Sequence, residues 1–182
     1  VNCQTIEEVE ANEDNSDLES DSDKNDIPNI YLSEYELYDT PDNCHFKSFM
    51  DYRTITSQSS DQYKYIDRWG WSDYDGFMRC DGERDLGITD DYYLIAMGSY
   101  YGSEIGSKYR ITTDTGNVFY GCLADQKDDR DTNYTHQWSY NNDVVEFIVD
   151  TQKLPNIIKL HGNCNVYMPL NGKVAKVEKI IF

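Results

Sequence analysis

The chain has 182 residues, 34 Asp and Glu against 16 Lys and Arg, and a formal net charge of −18. That length suits one domain with its own core. The acidic balance, without any basic stripe, argues against nucleic acid and anionic membrane surfaces as partners, since both need Lys or Arg to displace counterions, and no apolar run is long enough for membrane insertion.

The first 26 residues, VNCQTIEEVEANEDNSDLESDSDKND, hold ten Asp or Glu and one Lys. With so little apolar surface the segment cannot offset its ordering entropy, so residues 1–28 are expected to form a disordered acidic tether. A start without Met reads as processed or truncated, and removal of an export signal is the expectation. Cys3, ahead of the tether, would suit a lipid anchor, although Asn2 stands where the small residue of such a signal belongs. The five cysteines contain no Cys-x-x-Cys pair, which speaks against zinc and thioredoxin-like chemistry. Cys80 and Cys122 lie in strand-like runs and are expected as small buried hydrophobes.

Residues 29–88 are expected as an N-terminal extension packed on the main domain. IPNIYLSEYELYD (27–39) predicts a short strand or docking segment, and FKSFMDYRTIT (46–56) follows. SSDQYKYIDRWG (59–70) predicts one short helix, with Ser59 or Ser60 as N-cap, Tyr63, Ile66 and Trp69 on one face, and Gly70 as the stop. Two Asp-Gly turns bracket FMRC. From residue 89 the pattern is β: YYLIAMG (92–98), KYRITT (108–113), NVFYGCLA (117–124), VVEFIVD (144–150) and KVAKVEKIIF (173–182), with a helical turn at LPNIIKLHG (154–162). Short strands so spaced predict a small barrel or sandwich.

The stretch LIAMGSYYGSEIGSKYRITTDTGNVFYGCLADQKDD resembles the three-aspartate domain of bacterial cell-wall proteins, also found in membrane-bound lytic transglycosylase A and in stationary-phase survival proteins of spore formers. The shared features are the Ile-Gly-Ser-Lys-Tyr turn into a strand, a glycine turn, and a strand ending Ala-Asp. The resemblance implies a mainly β fold, a six-stranded double-psi-like β-barrel over 89–182 with one or two short helices. It also implies an aspartate-lined groove that cleaves peptidoglycan glycan strands. Two registers fit. One matches Asp125 to the family's Asp-x-Gly aspartate and Asp129 or Asp131 to the next; the other matches Asp114 and Asp125. The first is preferred, because it keeps the Gly116 turn between two strands. The family's first aspartate is Gly98 here, and its glycine-rich stretch is replaced by KDDRD.

Glycoside cleavage needs one carboxylic acid that keeps its proton near neutral pH and a second carboxylate to stabilise a cationic sugar ring. Crowding of Asp125, Asp128, Asp129 and Asp131 is expected to supply this by mutual repulsion. Asp125, on the strand end, is the expected acid, with Asp129 and Asp131 as partners. Lys127, Thr132, His136, Tyr100 and Tyr101 are the expected substrate-binding groups, the tyrosines as stacking rings. No cofactor is expected. The alternative occupant is a calcium ion on the Asp125–Asp131 loop, in a looser arrangement than an EF-hand, whose Gly and Glu are missing here. The chain is thus expected to be an exported, cell-wall-associated protein that binds peptidoglycan or another glycan and cleaves it as a lytic transglycosylase does. A non-catalytic glycan-binding or adaptor domain, or a phage or mobile-element attachment protein, are the alternatives.

Overall fold

The computed structural model describes residues 34–42, 45–82 and 92–182. The expected tether, Cys3 and Cys44 lie outside the described residues. No helix among the described residues is long and apolar enough to cross a membrane.

The fold is mainly β. Among the described residues nine strands, β1 (Glu34–Tyr38), β2 (Phe46–Asp51), β3 (Gly70–Trp71), β4 (Arg79–Asp81), β5 (Tyr92–Met97), β6 (Lys108–Thr113), β7 (Val118–Gln126), β8 (Asp143–Val149) and β9 (Val174–Ile181), share one sheet, accompanied by helices α1 (Asp61–Arg68) and α2 (Asn156–His161). The order runs β1, β9, β6, β7, β5, and then the sheet forks. The second edge of β5 is divided between β4, which pairs at Tyr92 and Tyr93, and β8, which pairs at Ile95 and Ala96. β3 lies outside β4, and β2 lies outside β8. Two pairs are parallel, β5 with β7 and β2 with β8.

The apolar runs of β5, β7 and β8 follow from this layout, because both faces of the central sheet are covered. Alternate residues feed two cores. Ile95, Met97, Leu123, Val145, Phe147 and Val149 join one. Tyr92, Leu94, Cys122, Ala124 and Ile148 join the other, which α1 closes with Ile66. Cys80, Cys122 and Cys164 are buried, and burial pushes the Cys122 and Cys164 thiols up to about 12. They act as core residues rather than nucleophiles.

Helix α1 begins where its cap predicts: Ser60 Oγ accepts the Tyr63 N–H at 3.1 Å. Gly116, at φ 88°, makes the β6–β7 turn. Among the described residues, β1–β4, which precede residue 89, are members of the same sheet as β5–β9. Ladder pairing does not close the sheet into a barrel. The outer edge of β2 is taken instead by the segment 164–174: Cys164 N–H donates to Lys47 O at 2.7 Å, Lys47 N–H to Asn165 Oδ1 at 2.9 Å, and Val174 N–H to His45 O at 2.8 Å. The second expected Asp-Gly turn, at Asp81-Gly82, ends β4, and residues 83–91 lie outside the described residues.

Candidate functional site

Ala96 is the reference point of the site. Its register partner on β7 is Asp125, and its register partner on β8 is Glu146. Ser48 on β2 pairs in turn with Glu146. Ser48, Glu146, Ala96 and Asp125 therefore stand abreast across four adjacent strands. Residues at one register level share a sheet face, and two strand spacings of about 4.8 Å put the Asp125 and Glu146 Cα atoms roughly 10 Å apart. Between them the side chain is only a methyl group.

A β-bulge brings Asp125 into this row. Leu123 pairs with Ile95, but Asp125 pairs with Ala96, so Ala124 is skipped. Strict alternation after Cys122 and Ala124 would have sent Asp125 to the opposite face; the bulge re-aims it to the side of Ala96. Asp125 and Glu146 then line one concavity of about 530 Å³ together with Met50, Asp131, Ser139 and Tyr140. Asn141 and Glu146 also line a second basin of about 380 Å³ beyond them, with Ser48, Phe49, Asp143 and His161.

Burial sets the electrostatics here. Desolvation pushes the Asp125 carboxyl above the usual carboxylate range, against a smaller opposing pull from the Gln126 N–H and Lys127. Desolvation raises Glu146 too, and the Lys127 charge pulls the other way. Lys127 Nζ lies 2.8 Å from Glu146 Oε2 and 3.4 Å from Asp143 Oδ2, with its side chain only 5 % exposed. Ser48 Oγ donates to Asp143 and lies 3.2 Å from Glu146 Oε1. Two buried atoms, Ser139 Oγ beside the groove and Asp143 Oδ1 beside the second basin, have no hydrogen-bond partner among the described residues. Such atoms are uncommon in native structures.

The expected residues divide into three groups. Asp125, Asp131 and Lys127 line the groove. Lys127, expected to bind substrate, is paired with the buried Asp143 and the half-buried Glu146. Asp129, Thr132 and His136 form a separate knot beside the groove: Ser99 Oγ donates to Asp129 Oδ1 at 2.7 Å, and His136 Nδ1 lies 2.9 Å from Thr132 Oγ1 and 3.5 Å from Asp129 Oδ1. Tyr100 and Tyr101 pack edge-on with Tyr38, and Tyr101 is fully buried, so it offers no stacking surface. The exposed ring at the groove is Tyr140, at 73 %.

Mutual repulsion is not what raises Asp125, because burial does so. Asp128 moves the opposite way, held at about 2 by the Arg130 guanidinium. Among the described residues no three His, Cys, Asp or Glu side chains converge as metal ligands. The register that matches Asp114 with Asp125 separates the two, because Asp114 sits at the far end of the β6–β7 hairpin and accepts the Lys173 N–H at 2.8 Å. Seven residues of strand span roughly 23 Å. Gly98 is closed to any side chain, since a Cβ there would lie 2.0 Å from the His136 carbonyl oxygen.

Reading the sequence for motifs does not reach Glu146, Asp143, Ser48 or Ser139. The signal it does carry is the lone Glu of VVEFIVD, a charge inside an otherwise unbroken apolar strand. Compared with family models, curated proteins and solved structures, the chain matches none.

Proposed function

We propose that this chain is an exported, cell-wall-associated protein that binds peptidoglycan glycan strands in the groove across β2, β8, β5 and β7, and cleaves them. The observation that carries this reading is the pair Asp125 and Glu146, desolvated carboxylates flanking Ala96 in one concavity. A carboxyl raised by burial holds its proton to higher pH, which suits Asp125 to donate to the leaving glycosidic oxygen. Glu146, with its negative charge favoured by Lys127, would stabilise the positive charge that develops on the sugar ring. Attachment to a membrane through a lipid on Cys3 belongs to the same reading.

We also read the sheet as a double-psi-like barrel of β2, β5, β6, β7, β8 and β9. Its support is the two parallel pairs and the Val174-to-His45 bond, which brings the start of β9 beside the start of β2.

A second reading, a glycan-binding domain without catalysis, is favoured by Gly98, where the three-aspartate family has an aspartate and this chain has a backbone contact. Incubation with purified peptidoglycan separates the two. Anhydro-muropeptides detected by mass spectrometry, and lost in Asp125→Asn while folding and glycan binding persist, support cleavage. Binding without products supports the second reading, and absence of both binding and products removes the glycan assignment.

A further inference from the structure

A cavity of about 300 Å³ shares no lining residue with the carboxylate groove. Its apolar walls come from Tyr52, Ile55, Tyr63 and Ile66, with Thr56 on the exposed side and Arg79 as a charged end. The guanidinium of Arg79 is sandwiched among rings, its Cζ 4.7 Å from the Trp71 centroid and 5.5 Å from that of Tyr52. It makes one firm hydrogen bond, Nη2 to Ile66 O at 2.8 Å, and reaches Gly70 O only at 3.5 Å. Its Nε is buried with no acceptor among the described residues. Among the described residues no carboxylate lies within 4 Å of its guanidinium, and Asp67 acts on it only from a longer range. By contrast Arg53, on the same wall, is held by Asp51 at 2.7 Å and Asp150 at 2.8 Å.

The bond to Ile66 O, at the carbonyl end of α1, explains why the guanidinium lies where it does. It leaves most of a five-donor fork unused, in a chain whose net charge is −18. A planar monoanion matches such a fork in two parallel bonds. A dianion is disfavoured by Asp67, which lines the same cavity. We propose that this cavity binds a small carboxylic acid with an apolar body, the carboxylate on Arg79 and the hydrocarbon against Tyr52, Ile55, Tyr63 and Ile66. The site does not depend on the glycan reading.

The test titrates the full chain with 3-phenylpropanoate, with its uncharged counterpart 3-phenylpropan-1-ol and with inorganic phosphate, following the Ile55 and Ile66 methyl signals by NMR. The acid should shift both signals saturably and bind at least about tenfold more tightly than the alcohol, as a charge-assisted bond requires. Arg79→Gln should erase that preference. Because Arg79 also ties down α1, Thr56→Trp provides an independent check. It fills the cavity from an exposed position and should abolish binding of both organic probes at an unchanged melting temperature. Equal binding of acid and alcohol, phosphate binding as tight as the acid's, no saturable shift with any probe, or intact acid binding in Thr56→Trp would each overturn the proposal.

Discussion

Replacing Lys127 by Met removes the cation that faces the buried Asp143 and the half-buried Glu146 carboxylates. In the folded chain its Nζ lies 2.8 Å from Glu146 and 3.4 Å from Asp143, and Asp143 is fully buried. Methionine roughly matches the length of the stem but brings no charge, so among the described residues Ser48 is left as the side-chain donor to the pair. Removing one partner of a buried ion pair typically costs about 3–5 kcal/mol, because the remaining charge stays desolvated. The cost should depend on pH with a definite sign. The folded Glu146 carboxyl is already raised above its ordinary value of 4.5, so its stabilising contribution is complete below that value and is lost as pH rises through the folded value. Without Lys127 that value rises further, so the penalty of Lys127→Met should be small near pH 4 and full near pH 8. Urea unfolding at both pH values measures it, and the double variant Lys127→Met, Glu146→Gln should recover much of the loss at pH 8. A penalty below about 1 kcal/mol at pH 8, or one that does not change between the two pH values, would refute the assignment of these groups as a mutually dependent cluster.

Gly98→Ala should destabilise by about 2–3 kcal/mol, because the new methyl must displace the His136 backbone. This lowers the melting temperature by roughly 4–12 °C for a domain of this size, and a melting curve unchanged from wild type would contradict the contact. Lys47 is fully buried, with Nζ donating to Asn165 Oδ1 at 3.0 Å and to Gly172 O, and burial lowers it to about 8. Its unfolded form holds the proton up to about 10.5, so the stability of wild type relative to Lys47→Met should rise between those two values, by up to about 3 kcal/mol. Paired urea titrations at pH 7.5 and pH 10 check the sign. Asp125→Asn should leave the urea midpoint nearly unchanged and remove cleavage products, and full activity in that variant would end the acid role of Asp125.

Much of the strand pattern after residue 90 can be read from the sequence, because period-2 runs are punctuated by Gly, Asn and Asp. The α1 cap is similarly local, since Ser60 and Tyr63 are three residues apart. The pairing of β2 with β8 leaves no such mark: Phe46 meets Asp143, 97 positions further along the chain. The site is half legible for the same reason. Asp125 stands out as the end of an Ala-Asp strand, but its face is decided by a bulge at Ala124 that is set by the register against β5. Its counterpart Glu146 comes from a distant strand and becomes visible only when Ala96 lies between them. Closeness in sequence also misleads in one respect. Asp128, Asp129 and Asp131 look like one cluster, yet Arg130 holds Asp128 and Ser99 holds Asp129.

The late arrival of β8 matters while the chain is being made. β2 leaves the ribosome early, carrying Phe46, Phe49 and Met50, yet its hydrogen-bonding neighbour ends at Val149. At about 5–20 residues per second, the intervening hundred or so residues take roughly 5–20 s to synthesise. Throughout that interval β2 has an apolar strand and no partner, the condition in which nascent chains associate wrongly. The central strand β5 faces the same delay on one half of its edge, since Ile95 and Ala96 also wait for β8. A chaperone that shields residues 46–51 until synthesis passes Val149 would protect both, and nascent chains stalled before that point should be the aggregation-prone species.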